Sequence, residues 1–283
     1  MCGELLVLVV PKLACEDWQS ALLQRRLPTK LNGGLLAEAP AESGVTVSSE
    51  IKKQQAYYSR TAEHYDAMHV RQVDEHGKAL SGFMGLAEVF GPVGSVLDVG
   101  AGTGRAIERL RIRWPSAKVI GIEPVQALRE LGHKKGIRED ELIAGDALNL
   151  AFCDDSFDFV IETGVLHHIK TPIEAVKEMT RVARKGVMIS DNNNVGEGGS
   201  AKRLIKFAIK SLGLWPTFVY LETRGKMYKW SEGDGVYYSF SAFDCVKAMK
   251  GKFPIVHYMN TVPSNGFDLY RGATHVMILA CKG

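Results

Sequence analysis

The stretch Val96–Leu110, VLDVGAGTGRAIERL, sets three glycines within five residues between an apolar run and an amphipathic one. The apolar run ends in an acid, Asp98, and reads as a buried strand; the amphipathic run reads as a helix over about 104–114. Between them Gly100, Gly102 and Gly104 make a turn almost without side chains, which lets a ligand approach the main chain. A dinucleotide site needs GxGxxG, whose third glycine lets the helix pack closely while its N-terminus faces a pyrophosphate. Here the spacing is GxGxG and Arg105 stands where that glycine belongs. The identity of the ligand therefore turns on the acids that follow.

Outward from this turn, strand and helix alternate with short connections, the pattern of a parallel sheet covered on both faces. Strands are expected at 95–99, 118–122, 142–144, 157–161 and 186–190, with helices at about 104–114, 125–134 and 172–184. Thr171, Pro172 and Glu174 suggest a capping box with proline at the first helical position. After Asp191 the alternation stops until Ser241, and two apolar runs, 254–258 and 275–281, close the sheet. Upstream, 51–69 reads as a helix with Tyr58, Thr61, Tyr65 and Met68 at steps of three and four, and 78–90 as a second helix closed by Gly91-Pro92. Residues 33–49 are rich in Gly, Ala, Ser and Pro and read as a linker. The chain thus divides into a loosely attached extension, 1–49, and a domain, 50–283, with a cover over 192–241.

Three more acids stand where strands of such a sheet end: Glu123, Asp146 and Glu162. In an open parallel sheet ligands lie beyond the carboxyl ends of the strands, so with Asp98 these side chains converge on one crevice. Four carboxylates suit a cation, and Glu123 stands at the spacing where an acid accepts from ribose hydroxyls in nucleoside-binding sheets.

At this point the sequence resembles the class I S-adenosylmethionine-dependent methyltransferases. VLDVGAGTG is similar to their first motif, VIGIEP to their acid-ended second strand, AGDALNLAF and DDSFDFVIETGVLHHI to their third and fourth, and ISDNN to the end of their fifth. The resemblance spans about 51–194, with five motifs in order, and is strongest to the branch that includes quinone-biosynthesis and other small-molecule methyltransferases. It implies a doubly wound, seven-stranded, mostly parallel α/β sheet with a helical N-terminal lid and a cover inserted after the fifth strand. It further implies S-adenosyl-L-methionine as cofactor. Gly100, Ala101, Gly102 and Gly104 would line its methionine part and Asp98 would orient the loop or the amino group. Glu123, with Pro124 beside it, would take the ribose, and Asp146 and the Ala147 amide the adenine. Glu162 and the main chain after it would lie beside the sulfonium, with Tyr57 and Tyr65 as an aromatic lid. Asp98 as a helix cap and Asp146 as a turn residue are the structural alternatives.

Methyl transfer from a sulfonium is an in-line displacement in which the protein mainly supplies alignment and a dry site. A base is needed only for a neutral acceptor that must lose a proton. His167 and His168 follow the fourth strand and titrate in the useful range, so either is a candidate base, with packing as the alternative role. Acceptor choice is expected in 192–241, where Asn192, Tyr228, Trp230, Tyr237 and Tyr238 lie in a stretch dense in aromatics; an aromatic pocket and the packing of a small subdomain both account for them. Lys202, Lys206 and Lys210 fall four apart on one face of an amphipathic helix. That face reads either as solvated or as peripheral contact with anionic lipid through 201–212.

A net charge of +3, from 35 basic and 32 acidic residues, gives no electrostatic case for nucleic acid, so a small-molecule acceptor is expected; an RNA methyltransferase and a non-catalytic cofactor-binding protein are the alternatives. The five cysteines are scattered without metal-ligand spacing, so free thiols, a cytoplasmic location and no metal are expected. Leu5–Val10 is apolar for only six residues, too short for a membrane span.

Overall fold

The computed structural model describes residues 49–70, 74–264 and 268–283. The expected extension lies outside the described residues but for Ser49, which opens the first helix, α1 (Ser49–Thr61). A short 3-10 turn leads into α2 (Tyr65–His69), and α3 (Glu75–Ala87) follows, capped by Asp74, whose carboxylate accepts from the Gly77 amide. Gly91, at φ +95°, closes that segment in the left-handed region that glycine reaches without a Cβ clash.

Then comes the alternating core: β1 (Ser95–Val99), α4 (Arg105–Arg113), β2 (Lys118–Ile122), α5 (Gln126–Lys134), β3 (Leu142–Ile143), β4 (Phe157–Thr163), α6 (Pro172–Val182) and β5 (Ala183–Asn192). After β5 lie α7 (Ser200–Ser211), α8 (Trp215–Glu222) and a hairpin of β6 (Lys229–Ser231) with β7 (Gly235–Tyr237). The chain ends with α9 (Val246–Lys250), β8 (Ile255–Asn260), α10 (Leu269–Gly272) and β9 (His275–Cys281). The seven-stranded sheet has the order β3-β2-β1-β4-β5-β9-β8. β3 to β5 run parallel, and β9 joins both β5 and β8 antiparallel. This is the expected doubly wound architecture.

Two apolar layers sandwich the sheet, and period-two alternation assigns each strand residue to one of them. Leu97, Val99, Val160, Val187 and Ile278 face α6, where Val176 and Met179 meet them. Val96, Phe159, Ile161, Met188 and Leu279 face α3 and α4, where Leu80, Phe83, Ile107 and Leu110 meet them. Each such fully buried side chain stabilises the fold by roughly 1.5–3 kcal/mol.

Several sequence expectations need correction. β5 runs three residues earlier and two later than 186–190, because β4 and β9 pair with it on both sides. Thr171 makes no side-chain cap bond, so the capping box does not form although Pro172 opens α6. Cys245 and Cys281 are buried free thiols as expected.

Two of the three lysines on the basic face of α7 turn inward, while Lys202 stays exposed. Lys206 donates to the Asn194 carbonyl at 2.7 Å and Lys210 to Asp244 at 2.7 Å, while Leu204 and Ile205 are 60% and 58% exposed. Helical periodicity marks two faces but not which one the rest of the fold covers, and here the cover supplies oxygen acceptors. Among the described residues no helix is long and apolar enough to cross a membrane.

Candidate active site

Register sets the carboxyl ends of three strands level: Val99 pairs with Ile122 of β2 on one side and with Glu162 of β4 on the other. The chain leaving β1 then folds onto its neighbour, since Gly100 and Ala101 both donate to the Ile122 carbonyl, at 2.8 and 2.9 Å. Gly100, Gly102 and Gly104 have φ of +73°, +56° and +90°. A Cβ on Gly100 would overlap Val165, and one on Gly102 would stand 2.7 Å from the Tyr65 hydroxyl. The turn needs glycine for conformation and for clearance alike.

Beneath this turn the acids divide by role. Glu123, 6% exposed, accepts from the Gly102 amide at 3.0 Å and from the Val125 amide at 2.9 Å, and burial pushes its carboxyl up to about 7. Asp98 is 1% exposed, and its Oδ1 is buried without a hydrogen-bond partner. Burial, opposed by the Arg105 guanidinium, pushes Asp98 up to about 7 as well. An orphaned buried carboxylate oxygen is costly unless a donor or cation meets it, and no side-chain bond caps α4. Asp146 is exposed and accepts from the Leu148 amide at 2.9 Å, with Ala147 half-buried beside it. Pro124 is exposed at the rim.

Residues 97–190 match a family described as "Methyltransferase domain". The chain is 34% identical to the demethylmenaquinone methyltransferase of Roseiflexus sp. over 99 residues, 34% of this chain and 41% of that protein. It is 33% identical to the malonyl-[acyl-carrier protein] O-methyltransferase of Xylella fastidiosa over 115 residues, 40% of this chain and 38% of that one. The fold is similar to that of an S-adenosylmethionine-dependent methyltransferase of Thermotoga maritima, described as a possible histamine N-methyltransferase; the TM-score is 0.51 at 19% identity, over 81% of this chain and all of that one. The chain carries a class I S-adenosylmethionine-dependent methyltransferase domain. It spans about two-fifths of the length of these curated relatives.

The methyltransferase domain fits its cofactor chemically at the glycine turn, at the orphaned Asp98 oxygen and at Glu123, and a lid stands over all three. Tyr65 covers Gly102. Asp66 accepts from the Thr103 hydroxyl and pairs with Lys135, and Arg105 pairs with Asp74. The cavity left among Tyr65, His69, Asp98, Gly100 and Thr103 measures about 20 Å³, little more than one water needs. A larger groove of about 550 Å³ beside Trp114 and Pro92 lies at the amino ends of the strands, away from the acids.

Two of the expected cofactor residues do other work in the methyltransferase domain. Glu162 is fully buried, accepting from the Val165 amide at 3.0 Å and the Ser190 amide at 2.8 Å. Burial and the neighbouring Asp191 hold its carboxyl well above the usual range. It braces β4 against β5, and Thr163 after it lines the small cavity beside the glycine turn. Tyr57 turns away from the glycine loop: its hydroxyl donates to the Glu232 carbonyl at 2.8 Å and its ring meets Trp230 edge-on. Both were assigned from strand-end and helix position, which does not reveal where a side chain finds its partners.

Beyond the glycine turn a polar network joins lid, core and cover. His167 Nδ1 lies 2.8 Å from Asp191 Oδ1, and its Nε2 lies 3.1 Å from Asp234 Oδ2. Burial works against its charge, but the two carboxylates outweigh it and hold the imidazole pKa well above its ordinary value. Burial likewise opposes ionised Asp191, yet His167 brings that carboxyl down to about 2. His168 Nδ1 stands 2.6 Å from the Val236 carbonyl and its Nε2 2.9 Å from the Tyr58 hydroxyl. Gln54 fastens the lid helix to the hairpin, donating to the Asp234 carbonyl at 2.9 Å and accepting from the Val236 amide at 2.6 Å.

Sequence reading passed over Tyr58, Asp191 and Asp234 as site residues, although Asp191 stands in ISDNN and Asp234 in the turn SEGDG. Of the expected acceptor residues, the Tyr238 amide donates to the His167 carbonyl at 2.8 Å, and its ring lies 6.3 Å from that of Tyr228. Trp230 is half-exposed, Tyr237 half-buried, and Asn192 ends β5 opposite His275. Of these aromatics, Tyr228 and Trp230 meet the lid helix, at Lys53 and Tyr57.

Proposed function

We propose that the protein transfers a methyl group from S-adenosylmethionine to oxygen, carbon or nitrogen of a small molecule lodged between the glycine turn and the His167–His168 network. The observation that carries this reading is the orphaned Asp98 oxygen beneath the glycine turn, level with Glu123. Asp98 meets the cofactor's ammonium, the turn cradles its methionine part, Glu123 accepts from the ribose, and Asp146 with the Ala147 amide borders the adenine. The cofactor supplies an activated methyl on a sulfonium. Tyr65 and the lid exclude water once they close, which favours displacement of a charged leaving group.

The acceptor end is assigned to the histidine network and its aromatic rim: Asn192, Tyr228, Trp230, Tyr237 and Tyr238. His167 has both nitrogens engaged by carboxylates, so it serves as a base only when Asp234 withdraws; His168, whose Nε2 meets the Tyr58 hydroxyl, is the more available of the two. Relatives named for a quinone precursor and for a carrier-bound malonyl group support a small-molecule acceptor. A cytoplasmic location and peripheral contact with anionic lipid through α7 belong to the same proposal. The latter rests on the exposed Leu204 and Ile205 rather than on lysines. Release of S-adenosylhomocysteine by the purified chain, given a panel of phenolic, amine and carboxylate acceptors, tests the reading. No turnover with any acceptor, together with no cofactor binding, refutes it.

A further inference from the structure

We propose that His167, His168 and Asp234 form a site for a divalent transition-metal cation of the zinc or cobalt class. Asp234 Oδ2 lies 3.1 Å from His167 Nε2 and Asp234 Oδ1 lies 3.3 Å from His168 Nε2, and one donor atom from each residue falls within 4.8 Å of the others. Metal bonds of about 2.0–2.2 Å to imidazole and carboxylate, at tetrahedral or octahedral angles, set adjacent ligand atoms roughly 3–3.5 Å apart. That is the spacing from the carboxylate to each ring.

The surroundings of the two rings supply an independent argument. Metal-bound histidines hold their second nitrogen with a carboxylate or a main-chain carbonyl, which fixes tautomer and orientation. Here Asp191 holds His167 Nδ1 at 2.8 Å and the Val236 carbonyl holds His168 Nδ1 at 2.6 Å. Gln54 Nε2 also approaches His168 Nδ1, at 3.1 Å, and donates to the Asp234 carbonyl at 2.9 Å; the Val236 carbonyl, nearer at 2.6 Å, can only accept, which puts the proton on His168 Nδ1.

With both Nδ1 atoms protonated, two Nε2 lone pairs face a carboxylate that has only acceptors. The Tyr58 hydroxyl, 2.9 Å from His168 Nε2 and 3.2 Å from Asp234 Oδ1, has one proton and satisfies one of these contacts. The contact between His167 and Asp234 still requires a cation, either a proton on Nε2 or a metal.

A divalent ion displaces that proton to solvent, and with ionised Asp191 and Asp234 the cluster then sums to zero charge. Two imidazoles and one carboxylate leave a coordination position open, as catalytic zinc sites do. An acceptor oxygen placed there would be polarised and its pKa lowered. No ligand signature appears in the sequence because Asp234 lies 67 residues beyond His167. Metal uptake requires neither cofactor nor turnover, so the inference stands or falls apart from the methyl-transfer reading.

The test is equilibrium dialysis of the chelator-stripped full chain against zinc, with metal analysis, and a parallel cobalt titration followed by visible absorption. One equivalent is expected for the unsubstituted protein, and at least tenfold weaker uptake for Asp234→Asn and for His168→Gln, each with an unchanged circular dichroism spectrum. No stoichiometric uptake, or either folded variant binding as tightly as the unsubstituted protein, overturns the proposal. Should a variant fail to fold, the cobalt spectrum of the unsubstituted protein decides. Intense bands of a four-coordinate ion support the site, and the pale spectrum of the hydrated ion overturns it.

Discussion

His167 Nε2 lies 3.1 Å from a carboxylate oxygen of Asp234, a residue on the cover hairpin. The opposite side of the same ring is anchored in the core by Asp191. This one imidazole therefore ties the cover to the end of β5. Asp234→Ala removes an acceptor from His167, His168 and Tyr58 together. Hydrogen bonds to charged groups contribute about 1.5–3 kcal/mol, so unfolding free energy should fall by roughly that amount and Tm by several degrees. Calorimetry giving an unchanged transition would show that the hairpin is held by other contacts.

Asp98 and Glu123 give the cofactor site a defined pH dependence. Burial raises each carboxyl to about 7 from ordinary values of 3.8 and 4.5. The folded chain thus keeps protons that the unfolded chain has released, and between about pH 4 and 7 ligand-free stability falls as pH rises. The cofactor's positive charge favours the ionised acids. Its affinity should therefore strengthen as pH rises toward 7, by up to roughly tenfold per unit for each proton released, and level off above. Arg105 facing Asp98, and Arg129 with the Val125 and Gly102 amides facing Glu123, oppose the shift without cancelling it. Titration calorimetry in buffers of different ionisation enthalpy reads the protons directly; a flat profile from pH 5 to 8 contradicts the assignment.

Gly100→Ala probes the turn itself. Its added Cβ would overlap Val165, at a φ of +73° that L-residues rarely adopt. The expected result is a destabilisation of about 1–3 kcal/mol and at least a tenfold loss of cofactor affinity. Gly136→Ala is the control: it shares the strained φ, at +92°, but its Cβ would meet no atom within 4 Å, so cofactor affinity should be retained. Equal loss of affinity in both would remove the case for close approach at Gly100.

The exposed side of α7 separates two versions of lipid contact. Leu204→Asp with Ile205→Asp should abolish co-flotation with anionic vesicles at low salt. Lys206→Gln with Lys210→Gln should weaken it less than twofold, since those ammonium groups already face Glu197 and Asp244. Loss only in the lysine pair would show that the basic groups carry the contact.

The pattern of what was legible follows from locality. β1, β2 and β9 have the bounds expected from sequence, because a strand buried on both faces must be a continuous apolar run and its ends show as acids or glycines. The glycine turn and the acids after it are local for the same reason. β5 was underestimated because its length is set by two partners distant in sequence. The roles of Glu162 and Tyr57, the inward turn of Lys206 and Lys210, and the meeting of Asp191, His167 and Asp234 all depend on partners that only folding supplies. Asp234 stands in the turn between β6 and β7, and nothing adjacent to it in sequence points to a histidine.

The central claim is that the acids under the glycine turn bind the positively charged end of the cofactor, and Asp98→Asn tests it most directly. The substitution keeps the shape and removes a buried charge whose Oδ1 has no partner among the described residues, so thermal stability at pH 8 should hold or rise. Affinity for S-adenosylhomocysteine, measured by titration calorimetry, should fall roughly tenfold to a hundredfold. Tight one-to-one binding by the unsubstituted chain with that loss in the variant is the expected result. Absence of binding to the folded chain, or equal binding by both, would contradict the account.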